Sequence, residues 1–185
     1  MKWKIKYNAP VVLTFALVCA LTLLLNFLTQ GASNQLLFIA RRGSLASPLT
    51  YLRLFTHVLG HVSWEHYAGN MMLFLLIGPM LEEKYGSRDL LLVIAVTALV
   101  TGAVHCLLSP AGLLGASGVV FAFIILASMT SFRSGEVPLT LILVVVLYLG
   151  REVVAGLTAD SVSQLAHVVG GVTGGWCGYL AAGRK

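Results

Sequence analysis

From Val11 to Leu28 the chain carries no charged side chain, and runs of similar apolar character return at 64–81, 90–108, 117–129, 137–154 and 162–182. One bilayer crossing takes roughly 20 apolar residues in a helix. Within lipid, a chain must satisfy its backbone polar groups internally, which favours helices. The runs therefore predict an all-α membrane protein, a bundle of six transmembrane helices forming one domain over residues 1–185. With 58% hydrophobic and only 10% charged residues, and a mean hydropathy of +0.90, a water-soluble class is excluded. Cys19, Cys106 and Cys177 lie scattered in apolar runs, so they read as packing residues, not as a disulfide framework or metal site. No metal or other cofactor is expected, and the partners implied are lipid and membrane proteins, not nucleic acid.

The first run follows Lys2, Lys4 and Lys6 and lacks a prompt small-residue cleavage site, so it reads as a membrane span and not as a signal peptide. Lys84, Arg88, Arg133, Arg184 and Lys185 join those three lysines on one side. Eight of the twelve Lys and Arg thus predict cytoplasmic N and C termini. Residues 30–63 mix Arg41, Arg42 and Arg53 with Leu36, Phe38, Leu52 and Phe55, which suits short amphipathic pieces in the outer interface. The run at 117–129 is short. Its preceding loop, Ser109-Pro110-Ala111-Gly112, is expected to dip into the protein, where irregular backbone is tolerated only around a wet or polar cavity.

That loop leads to Gly115-Ala116-Ser117-Gly118. A serine hydroxyl becomes a useful nucleophile when a base takes its proton, and histidine is the usual base near neutral pH. Small residues in a membrane helix more often serve close packing, so Ser117 needs an imidazole to be singled out. Of His57, His61, His66, His105 and His167, only His167 lies in a glycine-rich apolar run, followed by Gly170, Gly171, Gly174 and Gly175. Those spacings leave one helical face nearly bare backbone and predict close approach to the helix that starts at Ser117. The alternative for His167 is a buried histidine bonded to a neighbouring helix, although intramembrane ionisable groups usually mark function. His66 and Asn70, four apart, share a helical face. They could serve as oxyanion donors beside the Ser117 backbone N–H at a helix start, or simply as helix-to-helix hydrogen bonds.

Taken together, Phe55-Thr56-His57 with His61, His66-x-x-x-Asn70, Leu81-Glu82-Glu83-Lys84-Tyr85-Gly86, Gly115-Ala116-Ser117-Gly118 and Ala166-His167-x-x-Gly170-x-x-x-Gly174 resemble the rhomboid family of intramembrane serine proteases. The resemblance runs from about Thr50 to Gly178. It implies a Ser117–His167 dyad without an acidic third member and His66, Asn70 and the Ser117 N–H at the oxyanion site. Gly115, Gly118, Gly170 and Gly174 would support that site. It further implies a bundle open to water on the outer side and single-span membrane proteins as substrates, cut near the outer membrane boundary. The expected location is a prokaryotic plasma (inner) membrane, and the oligomeric state is left open.

The sequence departs from the family pattern in three places. Phe121 stands where many members carry a tyrosine that stacks on the catalytic histidine. The Trp-Arg pair of the first outer loop is absent, with Arg41-Arg42 and Leu52-Arg53 nearby. Arg151-Glu152 interrupts the fifth run, at a spacing that does not place them on one helical face. That run is also the expected lateral gate, with Leu147 and Tyr148 meeting the second span. Two other classes remain. One is a catalytically inactive rhomboid-like protein that binds membrane clients, against which both Ser117 and His167 are retained. The other is a small transporter, against which no inverted repeat is visible.

Overall fold

The computed structural model describes the backbone of residues 4–130, 136–156 and 161–182, and side chains over 4–130, 136–147 and 164–180. Its helices are α1 (Pro10–Leu28), a π-helical turn (Asn34–Phe38), α2 (Pro48–Thr56), α3 (Trp64–Tyr85), α4 (Ser87–Leu108), α5 (Ser117–Ser128), α6 (Leu139–Gly156) and α7 (Ser161–Ala182). Among the described residues the regular structure is all helical, apart from one antiparallel bridge between Ala40 and Leu113. By length and composition α1 and α4 are apolar enough to cross a membrane, while α5 is apolar but short.

The second and third apolar runs extend toward each other beyond the expected 81 and 90. Helix α3 continues to Tyr85 and α4 begins at Ser87, leaving only Gly86 between them. Gly86 has φ +83°, a conformation that glycine adopts without steric cost, and it reverses the chain in one residue. The charged Glu82 is helical because its carboxylate is used inside the protein. It accepts the Val11 and Val12 N–H groups at 2.9 and 3.0 Å, and the Ser87 hydroxyl at 2.6 Å. Those two N–H groups lie in the first turn of α1, which has no side-chain cap of its own, so Glu82 caps α1 from 70 residues away. Glu82→Ala should therefore lower stability by about 2–4 kcal/mol, since charged hydrogen bonds are lost and backbone donors are left buried. Thermal unfolding of the detergent-solubilised variant checks this, and a melting point unchanged from wild type would refute the cap.

The core is threaded by aromatic rings. Phe15 of α1 lies 4.8 Å from Phe74 of α3, and Phe74 stacks at 4.8 Å on Phe123 of α5. Helix α5 is buried nearly all round, from Gly118 to Phe123 and again at Ile125 and Leu126, the pattern of a central helix. Against it lies α7, whose glycines meet α5 backbone directly. A Cβ on Gly170 would overlap the Gly118 carbonyl, and one on Gly174 would overlap the Ala122 carbonyl.

The outer segment folds as short pieces, and two of its three arginines, Arg42 and Arg53, are taken up by backbone carbonyls. Arg42 donates to Cys106 O at 2.8 Å and Leu107 O at 2.6 Å, at the C-terminal end of α4. Arg53 donates to Leu36 O at 3.0 Å. Guanidinium groups complement the unpaired carbonyls and negative dipole of a helix C-terminus. The segment is also tied to α1 by the Thr22 hydroxyl on Leu59 O at 2.6 Å.

The gate expectation needs correcting at Leu147. This side chain is 72% exposed and α6 packs on α5 and α7, so trimming Leu147 removes no tight contact with α3. Tyr148, Arg151 and Glu152 lie outside the described side chains.

Candidate active site

The loop before α5 is fixed by its backbone. Leu113 pairs with Ala40 through hydrogen bonds of 2.8 and 3.0 Å. The Gly115 N–H donates to His57 O at 2.9 Å, and the His105 Nε2–H donates to Ala111 O at 2.9 Å. His57, in turn, is held by Ala98 O at 3.0 Å from Nε2. Both histidines thus serve the loop's shape, which answers where a buried irregular segment sends its polar groups. Gly115 has φ +124°, and the chain enters α5 at Ser117 with no side-chain cap on the first turn. The opening N–H groups of α5 are therefore directed at whatever occupies the space in front of Ser117.

Helix α3 brings two polar side chains to the same loop. Its N-cap Ser63 accepts the His66 N–H at 3.2 Å, which starts the helix and sets His66 in its first turn. A Cβ on Gly115 would stand 2.6 Å from His66 Nε2 and 3.8 Å from Asn70 Nδ2. Both tips therefore converge on the turn that carries Ser117. His66 is half-buried and Asn70 is 8% exposed.

Helix α7 supplies His167. Its neighbour Ala166 is buried, with its carbonyl against Gly118, and the His167 ring lies 4.4 Å from the Phe121 ring at an interplanar angle of 41°. Phe121 follows Ser117 by one helical turn, so Ser117 and His167 border the same gap between α5 and α7. Both are half-buried. His66 and His167 are also near enough for their charges to interact.

The structure thus brings together Ser117, His167, His66, Asn70, Phe121, Gly115, Gly118, Gly170 and Gly174. It adds His61, whose Nε2 lies 3.1 Å from Asn70 Nδ2. The sequence argument gave His61 no role, because it precedes α3 and shares no helical period with His66 and Asn70. Among the described residues no group of three or more His, Cys, Asp or Glu is placed to bind a metal. A serine at a helix start without a side-chain cap, bordered by a histidine and faced by an imidazole and an amide, is an arrangement suited to acyl transfer.

Gly115 is a tight point of this arrangement, with His66 Nε2 2.6 Å from where a Cβ would stand. Gly115→Ala puts a Cβ into a left-handed backbone position and against His66, costing about 1–3 kcal/mol in strain. By displacing His66, the oxyanion donor proposed below, it should also lower turnover on the order of a hundredfold. Turnover and melting point measured together check this, and wild-type kcat in the variant would show that His66 is not needed where it stands.

Residues 48–184 match the Rhomboid domain family model. The chain is 26% identical over 179 residues to Rhomboid protease GluP of Bacillus subtilis, covering 90% of this chain and 34% of that protein. It is 25% identical over 131 residues to Rhomboid protease GlpG of Haemophilus influenzae, covering 69% of this chain and 68% of that protein. To Rhomboid protease GlpG of Yersinia pestis it is 29% identical over 171 residues, covering 89% of this chain and 60% of that protein. The chain therefore spans about a third to two thirds of the length of these curated relatives.

Proposed function

This chain belongs to the rhomboid family, and from that premise we propose that it is an intramembrane serine endopeptidase working through Ser117 and His167. The observation that carries the proposal is the convergence of three separate helices on one turn. Helix α5 starts at Ser117, α7 places His167 against Phe121, and α3 aims His66 and Asn70 at Gly115.

The Ser117 hydroxyl attacks the scissile carbonyl as His167 takes its proton, and the tetrahedral oxyanion is met by the Ser117 N–H, His66 and Asn70. His167 then protonates the leaving amine. A water molecule, deprotonated by His167, hydrolyses the acyl-enzyme and frees Ser117. Substrates are single-span membrane proteins cut near the outer membrane boundary, where a partly exposed serine can meet both peptide and water. The six longer helices, all but α2, cross the bilayer with both termini cytoplasmic, as the eight clustered Lys and Arg favour.

The test is reconstitution in liposomes with a fluorogenic single-span substrate, alongside labelling by an alkyl fluorophosphonate and mapping of the adduct. Cleavage together with an adduct on Ser117 is expected. Substrate bound without cleavage or adduct would favour a non-catalytic client-binding protein instead.

A further inference from the structure

The proposed oxyanion site is supported from beneath by a histidine that the reaction scheme does not use. His61 is 0% exposed and lies between the outer segment and α3. Its backbone carbonyl accepts the Asn34 side-chain N–H at 2.9 Å, which ties it to the π-helical turn 27 residues earlier. Its ring Nδ1 lies 3.3 Å from Leu59 O. A carbonyl oxygen can only accept, so the proton is on Nδ1 and Nε2 keeps a bare lone pair. That lone pair faces Asn70 Nδ2 at 3.1 Å, which fixes the amide with its nitrogen toward His61. Burial pushes the His61 ring down to about 4, helped by the nearby His66 charge and opposed by the Leu59 carbonyl, so the ring is neutral and the tautomer persists near pH 7.

An asparagine amide has two N–H donors. One is taken by His61, and the same nitrogen lies 3.8 Å from where a Cβ on Gly115 would stand. Left alone, the terminal torsion of asparagine is broad and its amide turns readily. Held by His61, it presents one N–H in one direction. The His61 ring also packs edge-on against His66, with centroids 5.0 Å apart, and against Tyr67 at 5.5 Å. Tyr67 is itself anchored by its hydroxyl on Ala16 O at 3.2 Å. One buried ring thus touches both side chains assigned to the oxyanion.

We propose that Asn34 and His61 are positioning residues for the oxyanion site: Asn34 fixes the His61 backbone, and the His61 ring orients the Asn70 amide and braces His66. The proposal rests on the endopeptidase reading above. Preorganised donors matter because they stabilise charge that develops only in the transition state. Loss of orientation should therefore appear in kcat and not in KM.

The test measures kcat and KM in liposomes for His61→Phe, His61→Gln and Asn34→Ala, each alone and combined with Asn70→Ala, with Ser117→Ala as control. His61→Phe keeps the ring volume but loses both nitrogens, and should lower kcat about tenfold or more with KM within about twofold. In the Asn70→Ala background the same change should cost much less, because the amide it orients is gone. His61→Gln offers an oxygen to the Asn70 amide and should recover most of the loss. Asn34→Ala should lower kcat about threefold with the same non-additivity, and it decides the matter if His61→Phe does not fold. Wild-type kcat in Asn34→Ala and His61→Phe, losses confined to KM, or losses that multiply fully with Asn70→Ala would overturn the proposal. Cleavage that survives Ser117→Ala, or no cleavage by the unmodified protein, would instead sink the serine-protease reading on which it stands.

Discussion

Replacing Ser117 or His167 by alanine should abolish cleavage of a membrane-embedded substrate, with a fall of about 10⁴-fold or more in kcat. The size of the effect follows from how the two groups act. A serine hydroxyl without a base is a poor nucleophile, and a base without the hydroxyl has nothing to activate, so the pair works as one unit. Ser117→Ala removes the oxygen but keeps the backbone N–H that opens α5. His167→Ala removes the base and also the ring that packs on Phe121. The double variant should be no slower than either single one, because the second loss removes nothing that still functions. Both singles should keep the wild-type fold, since each side chain is half-buried and borders the gap. Residual turnover within tenfold of wild type in either folded variant would refute the dyad, as would single losses that multiply in the double variant.

The second large effect is structural. Gly170→Val and Gly174→Val should prevent assembly of α7 on α5 and remove activity along with the cooperative melting transition. A Cβ at either position overlaps backbone atoms, the Gly118 carbonyl in one case and the Ala122 carbonyl in the other. Side chains can rotate away from an intruder, but helix backbone cannot move without giving up its own hydrogen bonds. Overpacking in a core usually costs about 1–3 kcal/mol, and here a Cβ and two Cγ carbons are added where even the Cβ does not fit. The nearest neighbour is Gly118, next to Ser117, so any separation of α7 also carries His167 away from the serine. Gly69→Ala is the control. Gly69 lies within α3 with no atom near its Cβ position, and alanine there should stabilise by about 0.5–1 kcal/mol through helix propensity. Cooperative melting of Gly170→Val at the wild-type temperature would show that the α5–α7 contact can open at no cost.

What local sequence determined is what a repeating period or a local turn can carry. Apolar runs of membrane length dictated helices, because backbone in lipid has few other solutions. The four-residue spacing of His66 and Asn70 put them on one face, and the spacing of Gly170 and Gly174 foretold a bare face on α7, since both depend only on the 3.6-residue turn. The resemblance marked Ser117 and His167 by residue type and order. Tertiary structure decided everything whose partner is a backbone atom far along the chain. Glu82 caps α1, Arg42 closes the end of α4, and His57 shapes the loop before Ser117. Each of these bonds ends on a main-chain N–H or carbonyl, or in the case of His57 begins there as well, and such groups are the same in every residue. A partner of that kind leaves no signature in its own sequence. His61 was hidden for a related reason, because it stands outside α3 and reaches Asn70 only once the outer segment has folded onto the helix. The exposure of Leu147 was likewise beyond local pattern, since an aliphatic run in a membrane helix reads the same whether it faces a neighbouring helix or lipid, and only the packing of α6 on α5 and α7 separates the two.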